Sequence, residues 1–127
     1  MNKKSLTFYE VLGEEVIQLI VNKFYDNVFT NPVLIPLFSA SKIDAVKDKQ
    51  FSFLCQFLGG PTYFSEKYGP PKMRMRHLPH AITNTTKEEW LKCMYEAIHD
   101  TIADKDLAMA LYNCFPKLAQ HMVNTPD

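Results

Sequence analysis

The stretch Glu14-Glu15-Val16-Ile17-Gln18-Leu19-Ile20-Val21-Asn22-Lys23-Phe24-Tyr25-Asp26-Asn27-Val28-Phe29 decides the fold. Val16, Ile20, Phe24 and Val28 recur every four residues, and Ile17, Val21 and Tyr25 form the adjoining row, so the spacing predicts a helix with one broad apolar stripe. Tyr25 falls on that stripe and points inward. A buried phenol without a partner costs about 1–3 kcal/mol, so Tyr25 needs a hydrogen-bonding group inside the molecule.

Outward from this helix, the same period continues between breakers. Asn31-Pro32 and Pro36 predict an extended connector ending at Leu37-Phe38. A second helix is expected from Ser41, with Ser41 and Asp44 as a capping box and Ile43, Val46, Gln50, Phe53 or Leu54, and Phe57 facing inward. Gly59-Gly60-Pro61 ends it. From Pro61 to Thr83 the chain reads as irregular and holds four of the eight prolines, Pro70 and Pro71 adjacent. Long connectors inside compact domains tend to be functional. Helix resumes after Asn84, with Thr85 and Glu88 as a second capping box and Trp90, Met94, Ala97 and Thr101 on one face. A last helix over 104–123 buries Leu107, Leu111, Phe115, Leu118 and Met122 and is expected to kink at Pro116. The expectation is an all-α single domain over residues 1–127, with about four substantial helices and a short amino-terminal one.

Composition narrows the function classes. Fourteen Lys and Arg balance fourteen Asp and Glu, which leaves no basic field for nucleic acid. The three cysteines, Cys55, Cys93 and Cys114, fit isolated thiols in a reducing compartment better than a disulfide framework. No apolar run approaches the roughly 20 residues that span a bilayer, and the amino end lacks a signal-peptide pattern. A soluble cytoplasmic protein with no membrane or nucleic-acid partner is expected.

Three polar features interrupt this helical plan. Gln50 stands one turn beyond Val46 on an inward row, and Trp90 carries an indole N–H that needs an acceptor. Tyr25, Gln50 and Trp90 either pair with other protein groups or face a cavity whose ligand takes their hydrogen bonds. The run Arg74-Met75-Arg76-His77-Leu78-Pro79 sets one histidine among cations before a helix-stopping proline. His77 there reads either as a capping or surface residue or as an axial ligand to haem iron, with the arginines free to meet the haem carboxylates. No Cys-x-x-Cys-His is present, so any haem would be held without thioether bonds.

The ordered set Phe24-Tyr25, Phe38, Gln56-Phe57-Leu58-Gly59-Gly60-Pro61, Arg74 to Pro79, Trp90-Leu91-Lys92-Cys93-Met94 and His121-Met122-Val123-Asn124 resembles the group II truncated haemoglobins of bacteria and plants. The resemblance covers about Phe8 to Asn124. It implies a globin-like two-over-two helical sandwich with a shortened first helix and an irregular segment before the proximal histidine. The implied cofactor is haem b, with His77 as proximal iron ligand. Tyr25, Gln50 and Trp90 would line the distal pocket, Phe38 and Phe53 would pack on the haem, and Val46 would stand near the entrance. Lys49 and Arg76 would meet the propionates. Phe64 replaces a tyrosine usual at a propionate, and Tyr63 adjoins it. His80 stands where relatives commonly have phenylalanine, and competition for iron or a role in ordering His77 is open to it.

The resemblance implies reversible, high-affinity binding of dioxygen, with carbon monoxide, nitric oxide and peroxide as further ligands. Two donor hydrogen bonds of about 1.5–3 kcal/mol each would slow ligand escape by roughly 10² to 10⁴, against bulk oxygen carriage. Peroxide reduction or conversion of nitric oxide to nitrate would need a separate reductase, because no G-x-G-x-x-G dinucleotide site is present. The alternative is an iron closed by an internal sixth ligand such as Tyr25, serving electron transfer or gas sensing. A monomer and a homodimer are both compatible with the sequence.

Overall fold

The computed structural model describes residues 5–38 and 41–127. The helices are α1 (Phe8–Val28), α2 (Ile43–Phe57), α3 (Tyr63–Tyr68), α4 (Met73–His77), α5 (Asn84–Thr101), α6 (Lys105–Tyr112) and α7 (Pro116–Met122), with a 3-10 turn at Ile35–Phe38. No strand occurs among the described residues.

Helix α1 packs on α2 and on α5, and α5 in turn packs on α6 and α7, while the short α4 leans on α7. The expected stripe is the core: Ile17, Ile20, Val21, Phe24, Tyr25 and Val28 are all buried. From α5, Met94, Ala97 and Ile98 meet them, with Leu111 and Phe115 closing the far side. The first helix begins earlier than the periodicity shows, through a capping box in which Thr7 and Glu10 satisfy each other's backbone N–H. Gly13, at φ 78° and ψ 161°, breaks it after its first turns, which sets the short amino-terminal helix off from the long one.

The Gly59-Gly60 stop does more than end α2. Gly59 takes φ 95°, and a Cβ at Gly60 would lie 2.4 Å from the Tyr9 ring and 2.8 Å from the Cys55 carbonyl oxygen. Only glycine lets the amino-terminal segment close over this corner, where Tyr9 N–H donates to Leu58 O at 3.0 Å.

Several local expectations are corrected. Lys42, not Ser41, caps α2, without a side-chain bond, and Thr83 rather than Thr85 caps α5 by accepting from the Thr86 N–H. Ile43 and Phe57, placed on the inward row of α2, are 43% and 39% exposed. Phe57 instead stacks on Phe53 at 5.4 Å. The segment 61–83 is not wholly irregular, since it holds α3 and α4, each too short to display a period. Pro116 does not kink one long helix: the chain turns at 113–115 and Pro116 opens α7 at its first positions, where its missing N–H costs nothing. Cys55 and Cys93 are buried, and burial pushes the Cys55 thiol up to about 11, as suits a small core residue.

Candidate functional site

His77 closes a five-residue helix that could not stand alone, because so short a segment does not recover the cost of nucleation. Neighbouring groups hold it. Arg74 Nη1 donates to His121 O at 3.0 Å and Val123 O at 2.8 Å, tying α4 to the carboxyl end of α7. Arg76 donates through Nε to Pro71 O at 2.7 Å and through Nη2 to Tyr68 O at 2.6 Å and Pro70 O at 2.9 Å. The prolines before α4 are thereby folded back on it.

The imidazole of His77 is oriented by its own helix. Nδ1 lies 2.6 Å from Met73 O, and since a carbonyl only accepts, Nδ1 carries the proton. Neutral imidazole so tethered presents the Nε2 lone pair, the state that a metal ligand requires. The sequence reading passed over Met73, although its spacing of four from His77 on a helix is the signal that would have found it.

His77 faces a cavity of about 440 Å³ enclosed by α1, α2, α3, α4, α5 and α7. Into it the fold brings Tyr25 from α1, Phe38 from the 3-10 turn, Val46, Lys49, Gln50 and Phe53 from α2, Phe64 from α3, Arg76 and His77 from α4, and Trp90 from α5. Tyr63 does not line it. Its hydroxyl donates to Glu14 Oε2 at 2.7 Å and its ring stacks on Phe51, so the side chain serves the corner between α1 and α3. His80 reaches the rim, and its N–H donates to His77 O at 2.9 Å. Phe115, Lys87 and Thr86, which the sequence reading did not connect with the site, also contribute to the walls.

Three donors on the cavity lining, Tyr25, Gln50 and Trp90, have no protein acceptor among the described residues. Tyr25 is 4% exposed, and its hydroxyl makes no hydrogen bond to any described residue. Burial holds its pKa well above the ordinary phenol value, so the O–H stays on as a donor. Neither the Gln50 amide nor the Trp90 indole N–H is engaged by another described residue. The rings are well packed: Phe24 stands edge-on to Tyr25 at 5.0 Å and to Trp90 at 5.1 Å.

Among the described residues no Asp or Glu lines the cavity, whereas Lys49, Arg76 and Lys87 do. Two of these cations are committed elsewhere. Lys87 Nζ donates to Gln120 Oε1 at 2.7 Å and pairs with Glu88 at 3.1 Å, and Arg76 holds the backbone carbonyls described above with its guanidinium over the Phe64 ring at 4.9 Å. Lys49 Nζ lies over the Tyr68 ring at 5.5 Å and makes no ion pair among the described residues. An apolar slot with a cationic rim, one tethered imidazole and three unpaired donors fits a flat apolar group bearing carboxylates and a metal, with a small polar ligand beside the donors.

The bacterial-like globin family model matches residues 7–124 of the chain. Group 2 truncated haemoglobin YjbI of Bacillus subtilis is 38% identical over 119 residues, which cover 94% of this chain and 89% of that protein. The crystal structure of the group II truncated haemoglobin from Bacillus anthracis superposes with a TM-score of 0.92 at 39% identity, over 98% of this chain and 96% of that one. The truncated oxygen-avid haemoglobin from Bacillus subtilis superposes with a TM-score of 0.88 at 38% identity, over 94% and 100% of the two chains.

Proposed function

The chain belongs to the bacterial-like globins as a group II truncated haemoglobin, and from that premise we propose that it holds haem b through His77 and binds dioxygen reversibly and tightly. When bound, the haem supplies an iron at which a diatomic ligand coordinates. The protein's own part is to orient the proximal imidazole, exclude water and direct hydrogen bonds at that ligand. Met73 O fixes the imidazole with Nε2 free, Phe38, Phe53 and Phe64 wall the slot, and Lys49 and Arg76 offer positive charge to the carboxylates. Val46 narrows the approach.

The observation that carries this reading is Tyr25, a buried residue that lines the cavity, whose hydroxyl has no hydrogen-bond partner among the described residues and is kept protonated by desolvation. A protonated phenol is a donor to a ligand in the cavity. The oxygen-avid character of the Bacillus subtilis relative supports high affinity here. Carbon monoxide, nitric oxide and peroxide fit the same pocket. Peroxide reduction or nitric oxide conversion would draw electrons from a separate reductase.

Absorption spectra of the ferric, ferrous and carbon monoxide forms, with oxygen on and off rates, test the reading. A Soret band with slow oxygen release is expected. No Soret band after haem titration overturns the haem assignment, and fast release overturns the role of the three donors.

A further inference from the structure

The structure lays the motif His121-Met122-Val123-Asn124 across the back of the proximal helix, where Arg74 already holds His121 O and Val123 O. Beyond α7 the chain turns over the segment joining α4 to α5. Asn124 N–H donates to Ile82 O at 2.9 Å, and its Oδ1 accepts from Ile82 N–H at 3.0 Å and from the Thr125 hydroxyl at 2.7 Å. Its Nδ2 then donates both to His77 O at 3.2 Å and to His80 O at 3.0 Å. One carboxamide therefore grips the two ends of the turn that follows the tethered histidine.

We propose that Asn124 is a positioning residue for His77, fixing the backbone from which the proximal imidazole hangs. The inference rests on the haem reading and adds to it a determinant 47 residues away in sequence. His77 O is among the last carbonyls of α4 and has no donor within its own helix. The His80 N–H and the Asn124 amide supply what is missing. The imidazole has two constraints, Met73 O on its ring and Asn124 on its backbone, and removing the second lets the ring tilt about the first. The same grip holds His80, which lines the cavity rim, in a closed turn.

Asp127 supplies the control. It belongs to the same carboxyl-terminal strap but accepts from Asn84 N–H at 2.8 Å and Thr85 N–H at 3.2 Å, at the start of α5. The test is resonance Raman spectroscopy of the ferrous, ligand-free holoprotein, read at the iron–histidine stretching band, together with the rate of haem transfer to apomyoglobin. Asn124→Ala and Asn124→Asp are expected to shift and broaden the band and to speed transfer about tenfold. Asp127→Asn is expected to lower the thermal midpoint and leave the band in place. Asn124→Asp keeps the acceptor for Ile82 and Thr125 while losing both donations, so it decides the question if Asn124→Ala does not fold. An unmoved band and transfer rate in the Asn124 variants, or an equal shift in Asp127→Asn, overturn the assignment while leaving the haem reading intact. A wild-type protein without a Soret band overturns both.

Discussion

Tyr25 is legible in the sequence because it interrupts an otherwise apolar row, and a phenol on such a row demands an explanation wherever it sits. Gln50 and Trp90 are legible for the same reason, and the structure brings all three to one cavity with His77. Tyr63 was not legible, because its destination depends on Glu14, 49 residues earlier in the chain, and no local pattern announces such a pairing. The donor roles carry two expectations. Tyr25→Phe and Trp90→Phe should each raise the oxygen dissociation rate about tenfold or more, since a hydrogen bond to a charged acceptor contributes about 1.5–3 kcal/mol. Their effects should not add in the double variant, because both donors address one ligand. Stopped-flow dissociation measures this, and unchanged rates in both single variants would show that the donors are unused. At the proximal side, His77→Ala should lose the iron–histidine band and the ordinary ferrous carbonyl spectrum. Retention of that spectrum would move the ligand to another residue, with His80 the nearest candidate on the cavity rim.

At the scale of the element, legibility follows length. The long helices α1 and α5 show their period over many turns, and the sequence places them well. Helices α3 and α4, of six and five residues, cannot show one, and side chains tie them down instead: Arg76 of α4 donates to Tyr68 O at the end of α3, Arg74 of α4 donates to His121 O, and Asn124 donates to His77 O. Caps were misplaced for a related reason. Thr85 fits the capping pattern as well as Thr83 does, and α2 begins at Lys42 with no side-chain cap, a start that no capping pattern marks. Gly60 was read as a helix stop, while its contact with Tyr9 is a tertiary fact. Gly60→Ala should therefore destabilise the protein by about 1–3 kcal/mol, since the added methyl meets a backbone oxygen as well as the ring. Urea titration should show a lower midpoint with an unchanged slope. A midpoint equal to wild type would mean that the corner opens without cost and that the amino-terminal segment is not held by it.

Across the whole molecule, the zero net charge conceals how the carboxylates are used. Glu14 on α1 accepts from the hydroxyls of Tyr9 and Tyr63, Asp48 on α2 accepts from Tyr68 and pairs with Lys67 of α3 at 3.2 Å, and Asp127 accepts from Thr85 and the start of α5. Each therefore ties a short or terminal segment to a long helix. The hydrogen bonds lower all three pKa values below the usual carboxylate range, from Tyr9 and then Tyr63 at Glu14, from Tyr68 and then Lys67 at Asp48, and chiefly from Thr85 at Asp127. The sign follows from linkage: in that range the unfolded chain binds more protons than the folded one, so stability is present above the unfolded values near about 4 and is lost as pH falls through the lowered folded values. The thermal midpoint should accordingly stay level from neutral pH down to about 5 and fall below about 4. Haem retention should decline in the same window, because α3 carries Phe64 of the cavity wall and is anchored through Tyr63 and Tyr68 to two of these carboxylates. Scanning calorimetry across pH, with Soret absorbance followed in parallel, measures both. Glu14→Gln, Asp48→Asn and Asp127→Asn combined should lower the midpoint at neutral pH and flatten its acid slope. An acid slope that the triple variant leaves unchanged would assign the transition to other groups and leave the three ties as geometry without linkage.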